Sequence, residues 1–564
     1  MALTQYGWLI AIISIAFIFS AFGNGANDVA NSYATSVAAR TLTMPQVGVL
    51  SMVTEFVGAV ALGKRVTDTI KNDIIDIGRF DGNPGALILA MTCAEIGSAT
   101  WLMLATALGF PVSTTQTIVG ALVGVGFGSQ ADIAWSWDEG GVSQVAASWG
   151  IAPAVAACFS ALLFATLKFG VLERGDSFKW GMRLIPLYLA FTGAVLALFI
   201  VIEAPGMDSL EELGAGKSVG IILGVFFGCL LLAYVFFLPY FHRRLVKNDS
   251  RVRAWHILLG PLLWSNDPWL PFPSKSDEVV IDYYQNSYTE ENPDTIVPAD
   301  TNGLTPEKSS YSDAAFAEKG REETETTVVR KVVVPPEPEI RFLEPTKHLP
   351  IYNPRRIVSV VKYLLLQGVT RDCVTHNSER LRNTHAVAIQ YDNKVEHLWT
   401  YAQIASAIMM SIAHGSNDVA NAVGPWVAAY NTFKAGEVAT ENDTPVWILV
   451  IAGFLLGAGF WFFGFKIVRA LGNRITRMSP TRGYSAELGA AITVLLASRL
   501  GLPVSTTQCL TGATLGVALM NFNLKAVNWR QVLFIMFGWV LTLPASGLIA
   551  GLLVAMALNS PSIP

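Results

Sequence analysis

A short stretch that occurs twice decides the fold: Gly25-Ala-Asn-Asp-Val-Ala-Asn31 returns as Gly415-Ser-Asn-Asp-Val-Ala-Asn421, 390 residues later. A second unit behaves in the same way, because Leu108-Gly-Phe-Pro-Val-Ser-Thr-Thr-Gln116 returns as Leu500-Gly-Leu-Pro-Val-Ser-Thr-Thr-Gln508 after 392 residues. Glu95 falls on Glu487 with this second spacing. Two motifs and an acidic residue that recur in the same order indicate an internal repeat.

The composition around these motifs is that of a membrane protein with a polar insert. The chain has 564 residues, of which 52% are apolar and 15% are charged, whereas roughly 25% are charged in an ordinary soluble protein. Half of the charges, 41 of 82, lie in the 155 residues between Phe241 and Val395. This distribution excludes a single soluble globule. A net charge of −4 and a pI near 6.0 also argue against a nucleic-acid partner.

The apolar blocks contain about twelve runs of membrane-spanning length, since a bilayer core of about 30 Å needs roughly 20 apolar residues. Seven precede the insert and five follow it: 6–28, 46–63, 85–109, 111–128, 143–170, 181–203, 217–240, 396–430, 446–466, 484–501, 503–520 and 529–557. We therefore predict an all-α, polytopic membrane protein. Its parts are a membrane block 1–240 (first repeat about 6–170, linking helices 181–240), an insert 241–395 and a second membrane block 396–564.

The two repeats are predicted to lie inverted in the membrane. The second copy begins seven crossings after the first, and an odd number of crossings makes it enter from the opposite side. Polar motifs inside apolar runs further predict broken helices or re-entrant hairpins, and the runs 111–128 and 503–520 either span or re-enter. Inverted repeats with such interruptions are typical of secondary transporters, whose sites lie near the membrane midplane.

Basic residues predict the orientation, because they favour the cytoplasmic side. Arg243, Arg244, Arg355 and Arg356 flank the insert next to the membrane, which places the long central loop in the cytoplasm and both termini outside. The basic residues of the 64–79 loop disagree with this orientation. The composition of 285–330 predicts disorder, so the insert is expected to be largely a disordered tether. The segments 251–264 and 355–370 are alternatively expected to lie on the membrane surface.

The repeated Asn-Asp motif is a candidate cation site. On a helix, Asn27 and Asn31 share a face with Asp28, and an aspartate in the membrane centre costs roughly 2.5–3.5 kcal/mol. Carboxylate and amide oxygens suit a hard cation such as Na⁺, and the second copy offers the same set. The alternative is that Asp28 caps a helix broken at Gly23 and Gly25. The expected cation ligands are Asn27, Asp28, Asn31, Gln116, Asn417, Asp418, Asn421 and Gln508.

The repeated Pro-Val-Ser-Thr-Thr-Gln unit is a candidate anion site. Proline ends the preceding helix, and serine and threonine open the next one. A helix N-terminus with free N–H groups and nearby hydroxyls binds oxyanions, so two such ends facing each other would surround one phosphate. Simple helix capping is the alternative. The expected phosphate ligands are Ser113, Thr114, Thr115, Ser505, Thr506 and Thr507.

Three further acids lie in apolar runs, namely Glu55, Glu95 and Glu487. We assign them to coupling or gating, with a structural role between helices as the alternative. The shared register of Glu95 and Glu487 predicts equivalent roles. His414 replaces Asn24 in the second copy, and is interpreted mainly as a structural hydrogen-bonding residue.

The two motif pairs resemble those of the inorganic phosphate transporter (PiT) family, and the Thr-Thr-Gln endings and Ile281-Asp-Tyr-Tyr284 are most similar to fungal sodium/phosphate symporters. The resemblance covers about 1–240 and 396–560. It implies an inverted-repeat transporter in which Asp28 and Asp418 couple the cation and the Ser-Thr-Thr units hold phosphate. Glu55 and Glu487 match glutamates that matter in the family, whereas Trp447 and Ile448 stand near the expected partner position of Glu55.

The predicted function is therefore sodium-coupled import of phosphate across the plasma membrane by alternating access. A proton-coupled phosphate or sulfate carrier is the alternative in the same class, and a membrane receptor without transport is a third hypothesis. The oxygen-only motifs and the absence of an evident His/Asp/Glu chain favour Na⁺. We find no enzyme motif, and expect no cofactor beyond co-transported Na⁺. Phosphate, Na⁺ and the bilayer are the expected partners, with a homodimer as one candidate assembly and no nucleic acid.

Overall fold

The computed structural model describes residues 3–63, 74–137, 141–203, 214–284, 336–375, 378–438, 444–500 and 502–560. This part of the chain is helical, with one isolated bridge between Ile75 and Ile133, so the all-α prediction is confirmed. Eight of its helices are long and apolar enough to cross a membrane: 4–38, 44–62, 84–108, 142–172, 177–201, 215–246, 446–463 and 529–559. The predicted disordered segment 285–330 lies outside the described residues.

The first repeat consists of six helices. They are α1 (Gly7–Asn27), α2 (Ala30–Ala38), α3 (Met44–Leu62), α4 (Pro84–Leu108), α5 (Thr114–Ser129) and α6 (Val142–Leu167). The first membrane segment is broken between α1 and α2, where the N–H of Asn31 donates to the carbonyl of Asp28 over 2.9 Å. The break therefore lies at Asp28 and Val29, beyond the glycines that the sequence indicated.

Two linking helices and the flanks of the insert follow. They are α7 (Ser177–Glu203), α8 (Ala215–Leu232, continued by π-helical turns to Val246), α9 (Pro354–Leu366), α10 (Glu379–Val387) and α11 (Asn393–Leu398). The described flanks are attached to the membrane block. The Tyr284 hydroxyl donates to Glu396 Oε1 over 2.5 Å. Within the flank itself, hydrogen bonds from Arg251 and Arg243 lower the pKa of Asp249 to about 2.

The second repeat also has six helices, α12 (Thr400–Ala435), α13 (Val446–Phe463), α14 (Phe465–Leu471), α15 (Pro480–Arg499), α16 (Thr506–Leu519) and α17 (Trp529–Asn559). The expected helix break at the second Asn-Asp motif is wrong, because α12 runs unbroken through Asp418. The physical reason is local. His414 lies one turn before Asp418, and its Nε2 is 2.9 Å from Asp418 Oδ2, so regular helical spacing itself provides the aspartate with a partner.

Contacts between the repeats come in reciprocal pairs. Helix α1 packs on α13 as α12 packs on α3, and α5 packs on α17 as α16 packs on α6. Both Asn-Asp motifs begin with a glycine at such a contact: a Cβ on Gly25 would collide with the carbonyl of Leu456, and one on Gly415 would lie 2.7 Å from the carbonyl oxygen of Glu55. The motif glycines therefore permit close helix approach.

The short helices α5 and α16 complete two hairpins that open at opposite ends of the bundle. The α4–α5 hairpin starts where Gly85 contacts Tyr6 and finishes where Gly126 contacts Ile133. The α15–α16 hairpin starts and finishes at the other end, where Arg482 Nη2 donates to Asn521 Oδ1 over 3.1 Å. Each hairpin thus returns to the end from which it came.

Loops that are predicted to share a side of the membrane also contact each other. Leu3 N donates to the carbonyl of Phe433, joining the N-terminal segment to the last turn of α12. At the other end, Arg469 Nε donates to the carbonyl of Asp372 and Lys168 Nζ to that of Met520. The assignment of the second end to the cytoplasm stays a prediction.

Candidate functional site

The α1–α2 break presents the carboxylate of Asp28 to the N-terminus of α5. Thr114 donates to Asp28 Oδ2 twice, from its backbone N over 3.1 Å and from its hydroxyl over 2.8 Å. Thr507 of the second repeat donates its hydroxyl to Asp28 Oδ1 over 3.1 Å. Asn27 fixes the α4–α5 turn, because it donates to the carbonyl of Phe110 and accepts from the N–H of Val112.

Asp418 holds the matching place in the second repeat with different partners. The Thr506 hydroxyl donates to Asp418 Oδ2 over 2.9 Å, and the Asn417 amide donates to Asp418 Oδ1 over 2.5 Å. One ligand atom from each of Asp28, His414 and Asp418 lies within 4.8 Å of the others, and all three residues are buried. The two aspartates that the sequence placed 390 residues apart therefore form one cluster.

Two asparagines form hydrogen bonds that join one repeat to the other. Asn31 donates to the Thr507 hydroxyl over 2.8 Å, and Asn421 donates to the Thr114 and Thr115 hydroxyls over 2.9 and 3.2 Å. Their side-chain oxygens and those of Gln116 and Gln508 are buried with no hydrogen-bond partner among the described residues. Amide and carboxylate oxygens are the donor types that a hard cation prefers, and Asn31 and Asn421 contact the threonines that hydrogen-bond Asp28.

The Ser-Thr-Thr units open α5 and α16 toward this cluster. Ser113 Oγ accepts from the N–H of Gln116, and Ser505 Oγ accepts from the N–H of Gln508, each over 3.2 Å. The serines are thus helix caps, as the alternative interpretation proposed, and the threonine hydroxyls are used by Asp28, Asp418 and the asparagines. Capping does not preclude anion binding, because a helix N-terminus keeps other N–H groups that favour an oxyanion.

A buried chain links Glu55 to the aspartate cluster. His414 Nδ1 lies 2.7 Å from Glu55 Oε2, and its Nε2 lies 2.9 Å from Asp418 Oδ2. Ser411 donates to Glu55 Oε1 over 2.5 Å. The sequence interpretation that no His/Asp/Glu chain exists is therefore wrong, whereas His414 is a hydrogen-bonding residue, as expected from the sequence. The available signal was its position, one turn before Asp418 in the place of Asn24.

This chain runs from Glu55 of the first repeat to His414 and Asp418 of the second, and the described residues hold no matching chain in the opposite direction. The matched contacts of Gly25 with Leu456 and of Gly415 with Glu55 identify Leu456 as the counterpart of Glu55, rather than Trp447 or Ile448. A second pair agrees, since Gly58 packs on Ile412 as Gly459 packs on Phe22. Glu55 and His414 on one side of the site thus correspond to Leu456 and Asn24 on the other.

Glu487 and Glu95 occupy equal positions in the repeats but have different surroundings. Glu487 accepts hydrogen bonds from the hydroxyls of Thr35, Ser36 and Ser406 over 2.6–2.7 Å and from Gln403 Nε2 over 3.3 Å. The buried carboxylate of Glu95 has no well-formed hydrogen bond in the described chain, and Ser20 is the hydroxyl that interacts with it. Four donors hydrogen-bond Glu487 and a single hydroxyl lies near Glu95, so the shared register does not give equivalent environments.

Known proteins match this chain over nearly its whole length. Residues 24–550 match the model of the phosphate transporter family. The chain is 37% identical to the phosphate-repressible phosphate permease pho-4 of Neurospora crassa, over 100% of this chain and 99% of that protein. It is 27% identical to sodium-dependent phosphate transporter 2 of Xenopus laevis, over 99% of each.

A solved structure described as the sodium-dependent phosphate transporter shares the fold, with a TM-score of 0.64 and 22% identity over 98% of this chain and 100% of that one. The family match therefore spans both repeats and the site between them. The chain belongs to the phosphate transporter family, and it is a membrane transporter of phosphate and not an enzyme.

Proposed function

We propose that the protein couples inward Na⁺ movement to phosphate uptake across the plasma membrane. The observation that carries this proposal is the buried pair Asp28 and Asp418, whose oxygens lie within 4.8 Å of each other. Two unit charges at that distance repel by about 3.5 kcal/mol with an effective dielectric constant near 20. A bound cation removes this repulsion, and the free oxygens of Asn31, Asn421 and the two glutamines complete its ligand set.

Phosphate binds beside the cations at the N-termini of α5 and α16. None of the motifs 24–31, 111–116, 415–421 and 503–508 contains Lys or Arg, so the positive charge that the anion needs comes from helix N-termini and from the bound Na⁺. Binding of each ion therefore favours binding of the other, which is the requirement for symport. The ligand sets are those assigned from the sequence, with Glu55 and Glu487 in coupling.

Alternating access follows from the arrangement of the two repeats as inverted copies. The hairpins α4–α5 and α15–α16 open at opposite ends of the bundle and meet at the aspartate cluster, which supports the inversion. The insert lies on the cytoplasmic side of the membrane, and both termini are extracellular. Residues 285–330 act as a tether. The relatives named as sodium-dependent phosphate transporters support Na⁺ as the coupling ion.

Proton coupling is the second candidate, and a specific observation favours it. The chain from Glu55 through His414 to Asp418 offers sites between which a proton can move, and a bare Na⁺ site does not need the imidazole. A carrier that used this chain would be driven by a pH gradient without Na⁺.

Proteoliposomes separate the two candidates. Labelled phosphate uptake is measured with an imposed Na⁺ gradient at equal pH, and then with an imposed pH gradient in the absence of Na⁺. We expect accumulation only with the Na⁺ gradient. Accumulation driven by the pH gradient alone would replace Na⁺ by H⁺, and labelled sulfate in the same vesicles tests the choice of anion.

A further inference from the structure

Helix α9 of the insert presents its apolar face outward and its polar face to the protein. Ile357, Val358, Val361, Leu364 and Leu365 share one side of the helix, and each is 45–52% exposed. A helix on a water-facing domain would bury such a stripe against its own core. The arrangement here is reversed, and no part of the described chain covers the stripe.

The polar face of α9 is held by neighbouring residues of the insert. The Tyr363 hydroxyl donates to Glu339 Oε1 over 3.0 Å, and Arg356 Nη1 donates to the carbonyl of Leu349. Arg356, Ser359 and Tyr363 are accordingly half-buried. These contacts fix the rotation of the helix and keep its apolar stripe turned away.

The C-terminal end of α9 is attached to the end of a membrane helix. Trp461 Nε1 of α13 donates to the carbonyl of Leu365 over 2.7 Å, and Gly368 lies against the carbonyls of Trp461 and Phe462. Helix α13 itself exposes Val450, Ile451 and Phe454 along its length, as a helix facing lipid does. The stripe of α9 therefore continues a lipid-facing surface at the level where that helix ends.

We propose that α9 is an in-plane anchor that inserts its apolar stripe into the adjacent leaflet and binds anionic phospholipid headgroups. Arg355 and Lys362 are exposed and flank the stripe on one side of the helix, which is the place of the headgroups when the stripe is in the acyl region. The proposed orientation puts α9 at the cytoplasmic leaflet, whose surface is negatively charged. A basic amphipathic helix of this kind binds such a surface and not the neutral outer one.

Fluorescence quenching on the reconstituted full-length protein tests the insertion. A bimane label is attached at Val361→Cys on the stripe or at Asp277→Cys, an exposed position of the insert outside α9, in a chain with Cys158→Ala and Cys229→Ala, since the other three cysteines are buried. We expect brominated acyl chains to quench the label at 361 and aqueous iodide to quench the label at 277. Equal iodide quenching at both positions would overturn the proposal, and so would a label at 361 that neither agent reaches, which would indicate that protein covers the stripe.

The charge component has its own test with the 361 label. Brominated phosphatidylserine is compared with brominated phosphatidylcholine at the same mole fraction, and we expect stronger quenching by the serine lipid, on the order of several-fold for two basic residues. Arg355→Gln with Lys362→Gln should abolish that preference, whereas the control Lys275→Gln with Lys525→Gln, two exposed lysines outside α9, should retain it. Equal quenching by both lipids in the unmodified chain would exclude headgroup selectivity. Neither measurement involves transport, so failure here is distinct from failure of the proposed coupling.

Discussion

Replacing Asp28 by asparagine removes one negative charge from the aspartate cluster and preserves the shape of the side chain. Three donors meet its carboxylate in the native chain, two from Thr114 and one from Thr507. A cation about 4 Å from a unit charge gains about 4 kcal/mol at an effective dielectric constant of 20. If half of that gain offsets desolvation of the carboxylate, about 2 kcal/mol remains, which is about a 30-fold loss of Na⁺ affinity.

The assay is uptake of labelled phosphate into proteoliposomes as a function of Na⁺ concentration, with equal amounts of inserted protein. For Asp28→Asn we expect the half-saturating Na⁺ concentration to rise about 30-fold, and uptake at low Na⁺ to be abolished. Asp418→Asn should act in the same direction. The matched control is Asp81→Asn, which makes the same chemical change at an exposed residue outside the helices and should leave the Na⁺ dependence unaltered.

One outcome refutes the reasoning. If Asp28→Asn has a normal Na⁺ dependence and loses only phosphate affinity, Asp28 acts on the anion through Thr114 and is not a cation ligand.

Three further predictions concern the glutamates, the insert and the charge carried. Glu487→Gln should reduce uptake strongly, because one of the two accepting oxygens becomes an amide nitrogen that faces Ser406 on one side or Thr35, Ser36 and Gln403 on the other, whereas Glu95→Gln should be nearly silent; equal loss in both variants would restore equivalent roles. Deleting 285–330 should leave uptake intact, since the flanks are attached through Tyr284 and Glu337, and lost uptake at a normal amount of inserted protein would make the segment more than a tether. Two Na⁺ with one H₂PO₄⁻ should carry one net positive charge inward, helped by about 2.3 kcal/mol per 100 mV. Simultaneous current and uptake recordings check this, and a ratio near zero would mean that one aspartate carries no transported cation.

The sequence predicted those features that depend on periodic or duplicated patterns. Each of the twelve apolar runs coincides with a helix of the described chain, because apolar length and composition are visible without coordinates. Only eight of the described helices are long and apolar enough to cross a membrane, so the sequence overestimated the number of spans. The convergence of the two Asn-Asp motifs could also be anticipated, since the polar motifs of inverted repeats line a common site near the membrane midplane. Both depend on residue type and order alone.

Features that depend on helix rotation and register could not be predicted. Glu55 and His414 are 359 residues apart, and their contact results from the closeness of α3 and α12 at Gly415. Likewise, the counterpart of Glu55 is an ordinary leucine, which no motif marks. The difference between Glu95 and Glu487 has the same origin, because the hydroxyls around Glu487 come from α2 and α12 and not from its own helix.

Helices α5 and α17 can pair only late in the synthesis of the chain. Helix α5 ends at Ser129 and its partner begins at Trp529, so the ribosome adds 400 further residues before the two can meet. At roughly 5–20 residues per second this takes about 20–80 s. During that interval, the face of α5 at Gly120 and Gly124 is in contact with lipid or with an assembly factor, because Leu543 and Gly547, which cover it later, do not yet exist. The α4–α5 hairpin is therefore synthesised early, but its packing partner α17 is added last. A nascent chain that stalls after the insert would leave the Gly120 and Gly124 face of α5 open to other helices in the same membrane.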